Sequence, residues 1–164
     1  MIRFLFALGL VSAALLQAIV LPALGTVAIL PNIVLVSLLV WSALRGVAEG
    51  LMWVFGIGLV LDLVALDALG INGLALLPVA LLAGPARRRF FQSSMILPIL
   101  LTMLATMAYA LMLTGLRGLS DGGAMMPTGT LVRAMSLQAL LNALLVPPIY
   151  LMAVWTDRWL VERR

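Results

Sequence analysis

The chain has 164 residues, of which 65% are hydrophobic and only 10% charged, with a formal net charge of +4 at pH 7. Soluble domains are nearer half apolar and a quarter charged, so this composition predicts an all-α integral membrane protein with no room for a soluble catalytic domain. The sequence has no cysteine and no histidine, which excludes disulfides, thiolate metal ligands and the commonest general base.

Six apolar segments follow one another along the chain, each close to the roughly 20 residues that a membrane-spanning helix needs. They are residues 3–24, 29–44, 47–66, 70–86, 93–116 and 131–155. We predict one six-helix transmembrane domain over residues 1–164. The first segment is longer than the apolar region of a signal peptide, and further spans follow it, so we expect a retained helix rather than a cleaved leader.

The arginines orient this bundle. All ten basic residues are arginines, scattered at segment ends rather than gathered on one face, which argues against a nucleic-acid surface. With the N-terminus in the cytoplasm, the cytoplasmic side carries Arg3, Arg45, Arg87, Arg88, Arg89, Arg158, Arg163 and Arg164, and the other side carries Arg117 and Arg133. The positive-inside rule therefore predicts that both termini are cytoplasmic. We interpret Arg87, Arg88 and Arg89 as an interfacial anchor, with a docking patch for a cytoplasmic partner as the alternative.

The third segment carries small residues at a four-residue spacing. Gly46, Gly50 and Gly58 lie on a winding ridge that ends at Asp62, and Gly56 lies beside it. Glycines at this spacing let a second helix approach closely in lipid. Packing inside the protein's own bundle is one interpretation, and a groove for a partner's helix is the other.

Asp62 is an acid inside an apolar span, where a charge costs something like 3 kcal/mol on insertion scales. Three explanations are open: hydrogen bonds from a broken helix start around residues 70–72, a polar group of a partner, or a bound cation or proton. Glu49 lies four residues after Arg45, and this spacing predicts a local ion pair. Without cysteine or histidine, we predict no metal site and no cofactor.

The sixth segment holds a second polar set, Ser136, Gln138 and Asn142. Gln138 and Asn142 are four residues apart and share a helix face. Amides in this arrangement predict interhelical hydrogen bonds worth about 1 kcal/mol each in a membrane.

Catalytic residue types are scarce, and we expect no enzyme. Aspartic chemistry needs two carboxylates that converge on one water. Asp62 and Asp67 would point about 140° apart if both were helical. Serine catalysis would need a base, and the chain has neither His nor Lys.

Several short motifs follow in a fixed order from residue 31 to residue 83. They are Pro31 and Asn32 at the opening of the second segment, Arg45 and Gly46 before GVAEG, FGIGLVLD at residues 55–62, and LGINGLAL at residues 69–76. In this order and spacing they resemble the bacterial rod shape-determining family MreD. The family often has Asp after the opening proline, where this chain has Asn32. The resemblance implies a signature hairpin that contains Pro31, Asn32, Asp62, Gly70 and Asn72.

What the resemblance implies is a non-enzymatic scaffold of lateral peptidoglycan synthesis in the bacterial cytoplasmic membrane. The expected partners are MreC, a single-span protein bound directly, the RodA glycosyltransferase with its class B penicillin-binding transpeptidase, the MreB filament, and membrane lipid. The fold is expected to be similar to the S subunits of energy-coupling-factor vitamin transporters. A vitamin-binding S-type subunit is therefore the alternative function, and an intramembrane aspartic peptidase is a more distant one.

Overall fold

The computed structural model describes residues 2–20, 30–86, 96–120 and 129–161. These residues form six α-helices and no strand. The helices are α1 (Ile2–Leu15), α2 (Ile33–Arg45), α3 (Val47–Ala65), α4 (Ile71–Ala86), α5 (Ile96–Ser120) and α6 (Gly129–Val161), with a π-helical turn over Leu16–Val20 after α1. The chain is an all-α membrane protein, as its composition predicts.

Helix α2 forms the centre of the bundle. It contacts α1, α3, α4, α5 and α6. Val, Leu and Ala fill eight of its 13 positions, so it presents apolar side chains to several neighbours. Its fully buried members include Val34, Leu35, Leu38 and Leu39. The other helices turn leucines outward, among them Leu63, Leu104 and Leu144, as expected for side chains that face lipid.

Three helices are long and apolar enough to cross a membrane: Val47–Ala65, Ile96–Ser120 and Gly129–Trp155. Three shorter apolar helices accompany them, over Arg3–Leu15, Ile33–Arg45 and Ile71–Gly84. Helix α2, with 13 residues, is only about 20 Å long, against a hydrocarbon core of roughly 30 Å. Its first turn lies inside the bundle, where Asn32 is buried.

The helix boundaries differ from the predicted ones where polar side chains or turns intervene. The second helix begins at Ile33 rather than 29, because Asn32 is its N-cap and accepts from the Leu35 N–H at 2.9 Å. The first helix continues beyond Leu15 as the π-helical turn to Val20, and its predicted end at residue 24 lies outside the described part of the chain. Helix α6 runs past the predicted residue 155 to Val161, and continues through its two prolines.

At the end of the bundle where α1 begins, three helices are tied together. Phe6 stacks on Trp41 with ring centroids 3.8 Å apart. Glu49 forms a two-pronged ion pair with Arg3, with N···O distances of 3.1 and 3.2 Å. The predicted pairing of Glu49 with Arg45 missed this partner, because Arg3 is 46 residues away in the chain and only packing brings it close.

Candidate functional site

Asp62 caps the start of helix α4 from the last turn of α3. The Gly70 N–H donates to Oδ2 at 2.6 Å, and the Asn72 N–H donates to Oδ1 at 2.8 Å. The Asn72 side-chain amide also donates to Oδ1, at 3.0 Å. The carboxylate is fully buried and complements the positive end of the helix dipole. Its hydrogen bonds come from within the chain, as in the first of the three explanations for this acid.

Two residues with positive φ make this cap possible. Leu66 ends α3 in the left-handed region with φ 57°, and Gly70 has φ 96°. The chain therefore reverses over five residues and returns its N–H groups to the helix it has just left. Left-handed backbone favours glycine, so Gly70 suits its position while Leu66 is an exception.

Asp67 joins the same cluster from the turn. Its carboxylate accepts from Arg117 at 2.6 and 3.1 Å and from the Asn72 side-chain amide at 2.9 Å. Partial burial raises the pKa of Asp67, but the hydrogen bonds from Arg117 and Asn72 and the guanidinium charge outweigh it and leave the pKa below its usual value. Asp62 and Asp67 therefore meet on one amide group, that of Asn72. The prediction that they would not converge assumed that both are helical, and Asp67 is not.

The start of helix α2 is held by neutral amides from two other helices. The Asn32 N–H donates to Asn142 Oδ1 at 2.6 Å, and the Ile33 N–H donates to Gln17 Oε1 at 3.1 Å. The Gln138 amide donates to the Leu30 carbonyl at 3.0 Å. Gln138 and Asn142 thus share a face of α6, as predicted, and hold the chain that enters α2.

Helix α5 joins the two capped starts. Thr106 accepts from the Asn142 amide at 3.0 Å, which links α5 to the start of α2. Tyr109, less than one turn further on, donates to Asn72 Oδ1 at 3.2 Å, which links α5 to the start of α4. Both side chains are buried. The polar residues form a connected network that runs from Arg117 through the bundle.

A cavity of about 290 Å³ lies beside this network, at the end of the bundle where α2 begins. Its polar lining comes from Gln17, Asn32, Tyr109, Thr114 and Gln138. Most of these groups already make the hydrogen bonds described above, and Thr114 donates to the Ala110 carbonyl at 2.8 Å. The cavity therefore has a mixed polar and apolar lining, and the bundle itself uses much of the hydrogen-bonding capacity of the polar part.

The predicted glycine ridge divides between inside and outside. A Cβ added at Gly50 would meet the Ser42 side chain of α2, and one at Gly58 would meet the backbone of Gly73 in α4. These two glycines pack the protein's own helices and leave no space there for a partner. Gly56 faces outward with nothing within 4 Å of an added Cβ. Gly46 links α2 to α3 with φ 107°, outside either helix.

The remaining predicted residues lie outside the polar network or outside the described part of the chain. Pro31 precedes the Asn32 cap, and Ser136 is exposed and donates only to the Val132 carbonyl one turn back. Arg87, Arg88 and Arg89 lie outside the described residues.

Sequence reasoning missed Gln17, Thr106, Tyr109 and the pairing role of Arg117. The signal that could have found them is a polar side chain in an otherwise apolar helix. Thr106 and Tyr109 are three residues apart and therefore share one face of α5.

The two carboxyl groups of this network are occupied by hydrogen-bond donors from the chain itself. An aspartic catalytic pair needs two carboxylates that are free to share a water molecule and a proton. Here Asp62 accepts hydrogen bonds from two backbone N–H groups, and Asp67 accepts hydrogen bonds from Arg117. Within the described ranges, no group of three or more acidic side chains gathers in a way that could hold a metal ion.

Comparison with known proteins identifies a family. A family model described as rod shape-determining protein MreD matches residues 1–154, which is nearly the whole chain. No curated protein matches the sequence, and no solved structure matches it.

Proposed function

The chain belongs to the MreD family of rod shape-determining membrane proteins, and we propose on that basis that it is a non-enzymatic scaffold of the cell-elongation machinery. In this role it binds MreC directly and is linked to RodA, its class B penicillin-binding transpeptidase and MreB. The observation that carries the proposal is the family match over residues 1–154. The buried polar network agrees with it, because Asp62, Asp67 and Arg117 each have a partner within the chain.

A scaffold needs a rigid bundle rather than a reactive centre. Asp62 and Asp67, the acids closest to a catalytic arrangement, hold helix α4 and Arg117 in place. A general base must be within hydrogen-bond reach of a substrate proton. Carboxylates that already accept hydrogen bonds from the protein are therefore poor general bases. This favours the scaffold over the intramembrane peptidase.

The MreC contact is best sought on the outward face of α3. The inward face is already occupied, because Gly50 and Gly58 pack against α2 and α4. On the outward face, Gly56 lies open among large exposed side chains, those of Met52, Phe55 and Leu59. A glycine between bulky neighbours forms a notch into which a single transmembrane helix can pack.

A pull-down in detergent with tagged MreC tests this contact. We expect Gly56→Leu to reduce the recovery of MreC while the protein stays folded, since the added side chain meets nothing inside the bundle. Gly115→Leu is the matched control, because Gly115 on α5 is equally open. If wild-type protein never recovers MreC, the scaffold proposal fails. If Gly56→Leu recovers as much MreC as Gly115→Leu, the contact lies on another face.

We further propose six spans, with both termini in the cytoplasm, in the bacterial inner membrane, and a fold similar to the S subunits of energy-coupling-factor transporters. The arginine distribution supports this orientation. The absence of cysteine from the sequence makes the test direct. Ala48 is exposed in the first turn of α3, and Ala68 is exposed in the turn that follows α3 at its other end. We expect an impermeant thiol reagent to label Ala68→Cys in intact cells and Ala48→Cys only after lysis; the reverse pattern contradicts the orientation.

The cavity beside the polar network favours a second candidate, a small-molecule-binding subunit of the vitamin-carrier type. Its lining converges on one space, which the sequence did not predict. A panel of B vitamins added to the purified protein tests this. A ligand at 100 times its Kd would stabilise the protein by about 2.7 kcal/mol and raise Tm by on the order of 5 °C. A shift that Ala134→Phe abolishes by filling the cavity would favour the carrier; no shift with any vitamin favours the scaffold.

A further inference from the structure

The cavity beside the polar network contains hydrogen-bonding groups that the bundle leaves unused. It lies between the π-helical turn after α1, the start of α2, and helices α5 and α6, and has a volume of about 290 Å³. Gln17 of the π-helical turn and Gln138 of α6 both line it, and both hold the chain that enters α2. Each amide uses only one of its two ends for this purpose.

The backbone around the start of α2 fixes which end of each amide remains. The Ile33 N–H needs an acceptor, so it takes Gln17 Oε1 at 3.1 Å and leaves the Gln17 NH₂ group. The Leu30 carbonyl needs a donor, so it takes Gln138 Nε2 at 3.0 Å and leaves the Gln138 Oε1 atom. No other described residue forms a hydrogen bond with either amide. One donor group and one acceptor atom are therefore unused.

Both of these atoms are accessible. The two side chains are half-buried and line the cavity. In the part of the chain that the structure describes, the one fully buried side-chain nitrogen or oxygen without a partner is Trp41 Nε1, which does not line this cavity. The unused ends of Gln17 and Gln138 are therefore within reach of a molecule in the cavity. The π-helical turn that carries Gln17 agrees with this, since such turns occur frequently at functional sites.

The rest of the lining indicates a small, uncharged ligand. None of the described residues that line the cavity is charged, and a charge buried without a partner is costly. Leu113, Leu131 and Met135 supply an apolar wall. With a water molecule taking roughly 30 Å³ of liquid, the cavity holds on the order of ten groups of that size. It lies at the small end of the range for ligand pockets.

We propose that this cavity binds a small neutral carboxamide, whose carbonyl accepts from Gln17 and whose N–H donates to Gln138. A carboxamide carries an acceptor and a donor side by side, which complements the two unused ends. Its apolar body packs against the wall formed by Leu113, Leu131 and Met135. The proposal rests on the second candidate function, because it names the ligand class of the same cavity, and the scaffold role does not depend on it.

Ligand-observed NMR titrations of the full-length protein in an uncharged detergent test this ligand class. The probes are benzamide, benzoate and benzamidine, which have the same number of non-hydrogen atoms but are neutral, anionic and cationic. We expect the wild type to bind benzamide about tenfold more tightly than either charged probe, because each of these leaves a buried group unpaired. Ala134→Phe fills the cavity and should abolish the binding of benzamide.

A second variant tests the role of Gln17 through the choice of probe. Gln17→Glu keeps an acceptor for the Ile33 N–H but replaces the unused donors with a carboxylate oxygen. We expect it to bind benzamidine about tenfold more tightly than benzamide, since an amidinium complements a carboxylate. A merely structural role for Gln17 would weaken all the probes alike and would not reverse their order.

Several results would overturn the proposal. These are no binding of benzamide by the wild type, equal binding of benzamide and benzoate, or benzamide binding that survives Ala134→Phe in a folded, monodisperse protein. An unchanged order of probes in Gln17→Glu would remove Gln17 from the site. Benzamide binding without a response to any vitamin would support the site and exclude the carrier. Since no probe involves MreC, failure of the MreC pull-down would remove the scaffold and not this site.

Discussion

Helices α2 and α4 both begin inside the bundle, yet different chemistry satisfies their first N–H groups. At α4 a single carboxylate, Asp62, accepts from two backbone N–H groups and one side chain. At α2 three separate side-chain amides accept from the backbone N–H groups, those of Asn32, Gln17 and Asn142. In lipid every backbone polar group needs a partner within the protein, so both starts require such side chains.

The difference lies in what supports the acceptor. A carboxylate makes stronger hydrogen bonds than an amide and complements the helix dipole, but its burial is costly unless neighbours stabilise the charge. Around α4 that support continues through Asn72 and Asp67 to Arg117, which is partly exposed. The side chains that hold α2 carry no charge and need no such route. Each of the following predictions alters one of the two starts.

The largest effect is expected at Asp62. Asp62→Ala leaves the N–H groups of Gly70 and Asn72 without their acceptor, and each buried unpaired donor costs about 1–3 kcal/mol. We expect a loss of about 3 kcal/mol or more, measured by thermal unfolding in detergent. Asp62→Asn keeps the volume and one acceptor oxygen, so its loss should be smaller. A stability equal to wild type in Asp62→Ala would mean that α4 does not depend on this cap.

The next effect concerns the close contact between α3 and α4. Gly58→Ala places a methyl group against the Gly73 backbone, where neither helix can yield cheaply, and overpacking of this kind costs about 1–3 kcal/mol. Gly73→Ala is the control, because its Cβ would lie at an ordinary 3.9 Å from Gly58. We expect Gly58→Ala to lower Tm and Gly73→Ala to leave Tm unchanged. Equal Tm values would contradict the packing described for these helices.

At α2 the expected effect is smaller. Asn142→Ala removes the acceptor for the Asn32 N–H and the donor to Thr106. Interhelical hydrogen bonds of neutral side chains average about 0.6 kcal/mol each in membranes, so we expect a loss of about 1 kcal/mol. Asn142→Asp keeps the acceptor and adds a charge without a route to Arg117, and we expect it to be no better than alanine. If Asn142→Ala destabilises more than Asp62→Ala, the charged start is not the more strongly held of the two.

The smallest effect belongs to the ion pair between Asp67 and Arg117. Because the pKa of Asp67 is lower in the folded protein than in the unfolded chain, its contribution is present above about pH 4 and lost as the pH falls through the folded pKa. The Arg117 side chain is 45% exposed, so the pair is worth at most about 1 kcal/mol. Tm measured from pH 7 to pH 3 should fall less in Asp67→Asn than in the wild type. Parallel curves for both proteins would remove Asp67 from the acid response.

The sequence by itself determined the class of the protein and the need for a partner to the buried charge of Asp62. Apolar composition and segment length are local properties, so they predicted an all-α membrane protein and most of the helix cores. The cost of a charge in lipid required that Asp62 be satisfied, and the turn residues after it indicated where donors could come from. The small residues at Gly50 and Gly58 likewise predicted close helix contacts, although not which helices make them.

Tertiary structure decided which groups meet. Glu49 is joined to Arg3 across 46 residues, Arg117 to Asp67 across 50, and Asn142 to Asn32 across 110. No periodicity within a segment encodes such pairings, because they depend on how whole helices pack. Asp62 and Asp67 converge only because Leu66 takes a left-handed conformation that its residue type does not favour.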